Sequence, residues 1–202
     1  MPTKTEPLRI LLRDRNEGLG TAWREHFADI GAVEVSTGDI FGVQADAIVS
    51  PANSFGFMDG GIDFAYSEYF GWDIGERLQT LLRAEHDGEL PVGHAVILPT
   101  NHATIRYLVS APTMRIPMAV ADTLNAYLAF RAALRVVRDY NAAHAGAIRS
   151  LMCPGLATAI GRMPYDRCAR QMRAAYDNIE LGHVWPAGVV GKRLQQHQDM
   201  LR

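Results

Sequence analysis

Asn53 and Asp63 are the side chains with chemistry to offer in the segment DAIVSPANSFGFMDGGIDFAY, Asp46 to Tyr66. An amide can orient a hydroxyl or a water, and a carboxylate can take a proton or face developing positive charge. Between them, Gly56, Gly60 and Gly61 let the backbone approach a ligand closely and take φ > 0. The free N–H groups at the start of the helix expected next point at whatever binds there, and phosphate is the guest such a loop suits. Each residue also has a plainer reading. Gly60 and Gly61 can make a strand-to-helix turn, Asn53 can be a turn former, and Asp63 can be an N-cap or a first-turn acid favoured by the helix dipole.

The elements that must hold this loop are legible as periodicities. Leu8 to Leu12, Ala32 to Ser36, Ala47 to Ser50, His94 to Leu98, Ile105 to Ser110 and Ile148 to Cys153 are short apolar runs bounded by turn residues, which predicts buried strands. Leu19, Trp23, Phe27 and Ile30 share one helical face. Ile74, Leu78 and Leu82 share a second, and Leu124, Tyr127, Phe130, Leu134 and Val137 a third. A further helix is predicted from Tyr165 to Ile179 with Cys168, Met172, Ala175 and Ile179 inward, and Glu85 to Val92 reads as a loop. Tyr66, Tyr69, Phe70 and Trp72 fall on a helix after the glycine loop, mostly as core, with one available to wall a pocket. Strands alternating with helices imply a sheet covered on both faces.

With 202 residues, 48% hydrophobic and 21% charged, the chain suits a single domain over 1–202, in which 183–202 is the least predictable part. A formal net charge of -2 gives no general attraction to a polyanion, so nucleic acid is not an expected partner. Arg167, Arg170 and Arg173 recur at helical spacing and could form a basic strip, but a solvated helix face is the favoured reading. Cys153 and Cys168, the only cysteines, are too few for a disulfide framework or a zinc cluster, and the histidines lack ligand spacing, so no metal is expected. The apolar run near the N-terminus is broken by Arg13, which makes neither a signal peptide nor a membrane span; a cytoplasmic location and no membrane partner are expected. Lys4 and Lys192, the only lysines, stand far from the loop in sequence, against Schiff-base chemistry.

Ser50-Pro51-Ala52-Asn53, Met58-Asp59-Gly60-Gly61 and Ile62-Asp63 stand, without a gap, where the macrodomain family has approximately NAAN, a glycine run and Val-Asp. Thr37-Gly38-Asp39-Ile40 resembles that family's GDI element, and PGLATAIGRMP from Pro154 to Pro164 resembles its second loop, approximately PAISTGVYGYP. Three elements in the right order over most of the chain are far more specific than a lone glycine motif. The resemblance implies an α/β fold, a three-layer α/β/α sandwich with a mixed central sheet and its cleft at the strand ends.

It also implies a ligand, ADP-ribose or an ADP-ribosylated molecule, and no cofactor. Asp39, with Ile40, would meet the adenine, while Gly60, Gly61, Ile62 and the run Thr158, Ala159, Ile160, Gly161 and Arg162 would hold the phosphates. Asn53 and Asp63 would lie at the distal ribose, as in the hydrolytic branch. The expected activity is removal of mono-ADP-ribose from an acceptor or hydrolysis of a small ADP-ribose derivative. The alternatives are a binding module that does not cleave and a processor of another ADP-ribose-like nucleotide. Asp39 alone could equally be a turn residue or cap. Two departures stand out. Asp59 puts a negative charge in an anion loop, so it must point away from the phosphates or disfavour them. Ala159, Gly161, Arg162 and Met163 replace the family's glycines and aromatics, which removes the clamp over the distal ribose. Arg162 could instead offer its guanidinium to a phosphate or a carboxylate, or lie solvated.

Overall fold

The computed structural model describes residues 7–184 and 190–202. In chain order the elements are β1 (Arg9–Asp14), α1 (Glu17–His26), β2 (Val33–Thr37), a 3-10 turn (Ile40–Gly42), β3 (Ala47–Ser50), α2 (Gly61–Phe70) and α3 (Asp73–Glu85). They continue with β4 (Val96–Pro99), β5 (Tyr107–Ser110), α4 (Asn125–Ala143), β6 (Ser150–Cys153), α5 (Tyr165–Ile179) and α6 (Val190–Leu201). The strands form a 6-stranded sheet in the order β2-β1-β6-β3-β5-β4. All neighbours are parallel except β4, which runs antiparallel to β5 at the edge.

Burial on both faces explains why the strands read as apolar runs instead of alternating patterns: all of Ala47–Ser50 is buried. Successive residues still point to opposite layers. Ile10, Leu12, Ala47, Val49, Leu151 and Cys153 join the core under α1, α4 and α5. Leu11, Ile48 and Met152, one residue out of phase, join the core with Tyr66, Ile74, Leu78 and Leu82 from α2 and α3. This is the expected three-layer α/β/α sandwich with a mixed sheet.

A side-chain cap fixes the start of α1, whereas α2, α3, α4 and α5 begin without one. Asn16 caps α1, its Oδ1 accepting from the N–H groups of Gly18 at 3.0 Å and Leu19 at 3.3 Å, with Glu17 in the first turn and Arg24 and His26 in the last. The helix ends before Ile30, contrary to the periodicity; Ile30 reaches the core from the following turn, where its N–H donates to Phe27 O. Leu124 likewise precedes α4 as its cap residue, and Trp72 precedes α3 instead of extending α2. Ile105, expected in a strand, is buried in the core but lies before the β5 ladder.

Within the tail, Val190–Leu201 forms α6, which the sequence pattern did not indicate; 185–189 lie outside the described residues. Gln171, fully buried on α5, donates from Nε2 to Thr123 O at 2.8 Å and Met200 O at 3.1 Å, and its Oε1 accepts from Tyr127 N–H at 3.1 Å. One buried amide thereby fastens α6 and the start of α4 to α5. Among the described residues, no helix is long and apolar enough to cross a membrane.

Candidate functional site

The carboxyl ends of β1, β2, β3, β5 and β6 open at one edge of the parallel sheet, and every site residue expected from the sequence follows one of these strands. After β3, Asn53 is buried and organises its own loop. Its Oδ1 accepts from the N–H groups of Phe55 at 3.0 Å and Phe57 at 3.3 Å, and its Nδ2 donates to Phe57 O at 2.9 Å. The turn-forming reading of Asn53 therefore holds, and one Nδ2 hydrogen is left for other work. Gly56 sits at φ 70° with Leu78 Cγ only 3.1 Å from where a Cβ would lie, so both backbone and packing require glycine there.

Gly60 and Gly61 are different. Gly60 is extended at φ −145° and precedes α2 without any side-chain cap, and Gly61 opens the helix at φ 59°. A Cβ at either position meets nothing within 4 Å. The first turn of α2 thus lacks a side-chain cap and has open space beside its two glycines, the arrangement in which helix ends receive anions. Asp59 is exposed beside them.

Asp63 lies in that first turn but does not cap it. The residue is 2% exposed, and its Oδ1 is buried with no hydrogen-bond partner. Burial pushes its carboxyl up to about 7, a rise that the neighbouring Ser50 hydroxyl partly offsets. Ser50 Oγ is itself buried and lacks a partner of ordinary hydrogen-bond geometry. Behind them Tyr66 donates its O–H to Val49 O at 3.0 Å, and burial followed by the Asp63 charge raises its phenol well above the usual range. Ser67 donates to Met58 O at 2.7 Å and pins the glycine loop to α2.

At the β2 end, Asp39 caps the 3-10 turn by accepting from Phe41 N–H at 3.0 Å and pairs with the Arg15 guanidinium. These two contacts, the N–H first, hold its carboxyl below the ordinary range. Its backbone oxygen accepts from Arg13 Nε at 2.7 Å. Ile40 is buried in the core beneath, and Phe41 stacks on Tyr69 with ring centroids 3.9 Å apart.

The second loop, after β6, is compact. Met163 N–H donates to Ala157 O at 2.9 Å and Arg162 N–H to Ala159 O at 3.0 Å. A Cβ on Gly161 would stand 2.4 Å from Ala157 O, and one on Gly155 would stand 2.5 Å from Thr158 Oγ1. Ala157 at φ 62° and Arg162 at φ 54° hold left-handed backbone without being glycine, a strain that gathers at functional loops. Thr158 is half-buried; Ala159, Ile160 and Arg162 are exposed; and the Arg162 guanidinium has no partner among the described residues. Of the helical arginines, Arg167 meets Asp122 and Ala121 O, Arg170 meets Asp166, and Arg173 meets Asp29 and Asp177, so the strip is paired internally.

Sequence reasoning passed over Asp14. Its Oδ2 accepts from Gly155 N–H at 3.1 Å and its Oδ1 from Asn16 N–H at 2.9 Å, joining the β1 end to the second loop. The signal was present: Arg13-Asp14-Arg15 is a charged triplet directly after an apolar strand. Ser50 was also missed as a participant, because a serine ending a strand carries no mark of its burial.

Two cavities lie elsewhere, one of 760 Å³ between α5 and α6 and one of 870 Å³ at the amino ends of β1 and β6, and neither is lined by a residue of the two loops. Buried polar chemistry, not cavity size, makes the strand ends the candidate site. Both cysteines are free and buried, and burial pushes the Cys168 thiol up to about 12, so neither is a ready nucleophile. Among the described residues no group of His, Cys, Asp or Glu could hold a metal ion.

A family model described as Macro domain matches residues 49–172. The chain belongs to the macro domain family. The match covers both loops, all of α2 and the first half of α5. This macrodomain is 34% identical over 156 residues to an uncharacterised protein of Aeropyrum pernix, covering 77% of this chain and 75% of that one. It is 29% identical to a macro domain-containing protein of Caldanaerobacter subterraneus, covering 73% of this chain and 81% of the relative. Among solved structures, an Oceanobacillus iheyensis macrodomain variant with ADPR shares the fold at a TM-score of 0.60 and 19% identity, covering 81% of this macrodomain and 88% of that chain.

Proposed function

We propose that this macrodomain binds ADP-ribose across its strand ends and hydrolyses the bond at the distal ribose, releasing mono-ADP-ribose from an acceptor or from a small derivative. The observation that carries the reading is Asp63: a carboxyl buried without a partner for Oδ1, raised to about 7, in the first turn of an uncapped helix. A fold retains so unfavourable a group where chemistry uses it. The ADPR bound by the Oceanobacillus iheyensis relative supports the choice of ligand.

In this reading the N–H groups of Gly60, Gly61 and Ile62 and those from Thr158 to Gly161 hold the two phosphates, with Arg162 beside them. Asp39 accepts the adenine amine, exchanging part of its contact with Arg15. The free Nδ2 hydrogen of Asn53 orients a ribose hydroxyl. Asp63, titrating near neutrality, takes a proton from the attacking water while positive charge grows on the ribose ring. Because Asp63 is covered, the glycine loop must open to admit that water.

The test begins with thermal stabilisation by ADP-ribose, AMP, NAD and ADP, since a ligand that binds only the folded state raises the midpoint. Single-turnover release of ADP-ribose from mono-ADP-ribosylated protein with acidic-residue linkages follows. No stabilisation by any nucleotide removes the reading. Stabilisation without release from any linkage makes the chain a binding module.

A further inference from the structure

The loop between β5 and α4 exposes five consecutive residues, Arg115 to Ala119, after the buried residues Ala111 to Met114. Ile116 is 49% and Met118 50% exposed, and they are joined by Phe57 at 55% from the first loop and Ile160 at 51% from the second. These side chains do not project from loose chain. Ser54 N–H donates to Arg115 O at 3.1 Å at one end of the run, and Val120 N–H donates to Gly161 O at 2.9 Å at the other. Asn53 fixes the backbone of Phe57. These exposed apolar residues form a lip whose central run is tied by hydrogen bonds at one end to the first loop and at the other to the second, where exposure stabilises nothing in the fold.

Sheet order says what reaches it. In the ADP-ribose reading, on which this inference rests, adenine sits at the β2 end and the distal ribose at the β3 end. The order β2-β1-β6-β3-β5 then directs whatever is attached to that ribose over the β5 end, where the lip lies. Charge narrows the choice. Within the run only Arg115 is charged, and its guanidinium is committed to Glu89 at 2.7 and 3.0 Å and to the face of Phe55. Asp59, exposed on the glycine loop, repels an anionic acceptor. We propose that Phe57, Ile116, Met118 and Ile160 form an acceptor subsite for an uncharged apolar or aromatic group carried on C1″ of ADP-ribose.

The test compares ADP-ribose with three stable 1″-O-glycosides of it, benzyl, carboxymethyl and aminoethyl, by calorimetry on the full chain. The benzyl compound is expected to bind about tenfold more tightly than ADP-ribose, the scale of burying a few methylene equivalents, and the two charged compounds no more tightly. The double substitution Ile116→Ser, Met118→Ser is expected to abolish the benzyl advantage and leave ADP-ribose affinity within about twofold. An equal gain for a charged glycoside overturns the proposal, as does a benzyl advantage that survives in the double variant. So does a dimer, seen by sedimentation, that the double variant dissolves, because the lip would then be covered by a second copy. Absence of ADP-ribose binding overturns this proposal together with the function above, whereas ADP-ribose binding without benzyl preference overturns this proposal alone.

Discussion

Asp14 Oδ2 accepts the Gly155 N–H at 3.1 Å, so the last residue of β1 holds the first turn of the loop that follows β6. The same carboxylate takes the Asn16 N–H through Oδ1, which sets the entry to α1. One side chain thereby spaces the β1 end and the second loop. Asp14→Ala is expected to lower stability by about 1–3 kcal/mol, the scale for hydrogen bonds to a charged group. It should also speed amide exchange at Gly155. A protein with unchanged urea midpoint and unchanged exchange at that amide would show that the contact positions nothing.

Asp63 gives a pH dependence with a definite sign. Its carboxyl titrates at about 7 in the folded chain against an ordinary 3.8. Between those values the folded state keeps a proton that the unfolded state has released. The contribution of Asp63 is therefore most favourable below about pH 4, falls as pH rises toward about 7 and is constant above it, whereas lowered carboxyls such as Asp39 act in the opposite sense at acid pH. Asp63→Asn removes the charged form and is expected to stabilise the protein at pH 8 by up to about 4 kcal/mol. The gain should vanish near pH 4. Denaturation curves across that range check this, and a pH-independent difference between the two proteins would sink it.

The proposed catalytic role of the same residue separates from binding. Asp63→Ala is expected to slow single-turnover release by about 10²–10⁴, the usual worth of general-base assistance, with ADP-ribose affinity nearly unchanged. In the parent the rate should rise with pH through the neutral range as the carboxyl loses its proton. Equal rates in variant and parent would take Asp63 out of the mechanism.

The glycine pair can be dissected because its members differ in backbone. Gly60 is extended, with open space where a Cβ would stand, so Gly60→Val should leave stability within about 0.5 kcal/mol. If the phosphates lie over it, ADP-ribose affinity falls at least about tenfold, which is about 1.4 kcal/mol. Gly61 holds φ 59°, so any side chain there strains the fold regardless of ligand. Full ADP-ribose affinity in a folded Gly60→Val protein would put the phosphates elsewhere.

Asp39→Ala is expected to weaken ADP-ribose by about 1–3 kcal/mol, as for loss of a hydrogen bond to a charged group. AMP should lose affinity by the same factor, because the proposed contact is to adenine alone. Loss for ADP-ribose with none for AMP would move Asp39 to the other end of the ligand.

Much of this protein was legible in one sequence. The six strands, the strand-end loops and the bounds of α5 at Tyr165–Ile179 follow from apolar runs, turn residues and a 3.6-residue period, all of them local properties of the chain. The glycine loop, the GDI element and the second loop announced the family because their spacing is itself the constraint that ligand geometry sets. What the sequence could not say is which polar groups are covered. A first-turn aspartate normally faces water and the helix dipole; Asp63 is turned under the β3 end beside Ser50, and only the packing of α2 on the sheet decides that. Likewise α6 depends on Gln171 meeting Met200 across two helices, and the lip at Ile116 and Met118 exists because hydrogen bonds from Ser54 and Val120 hold its ends to two other loops. Those contacts join residues far apart in the chain, so no periodicity records them; burial and orphaned polar atoms are properties of the assembled layers.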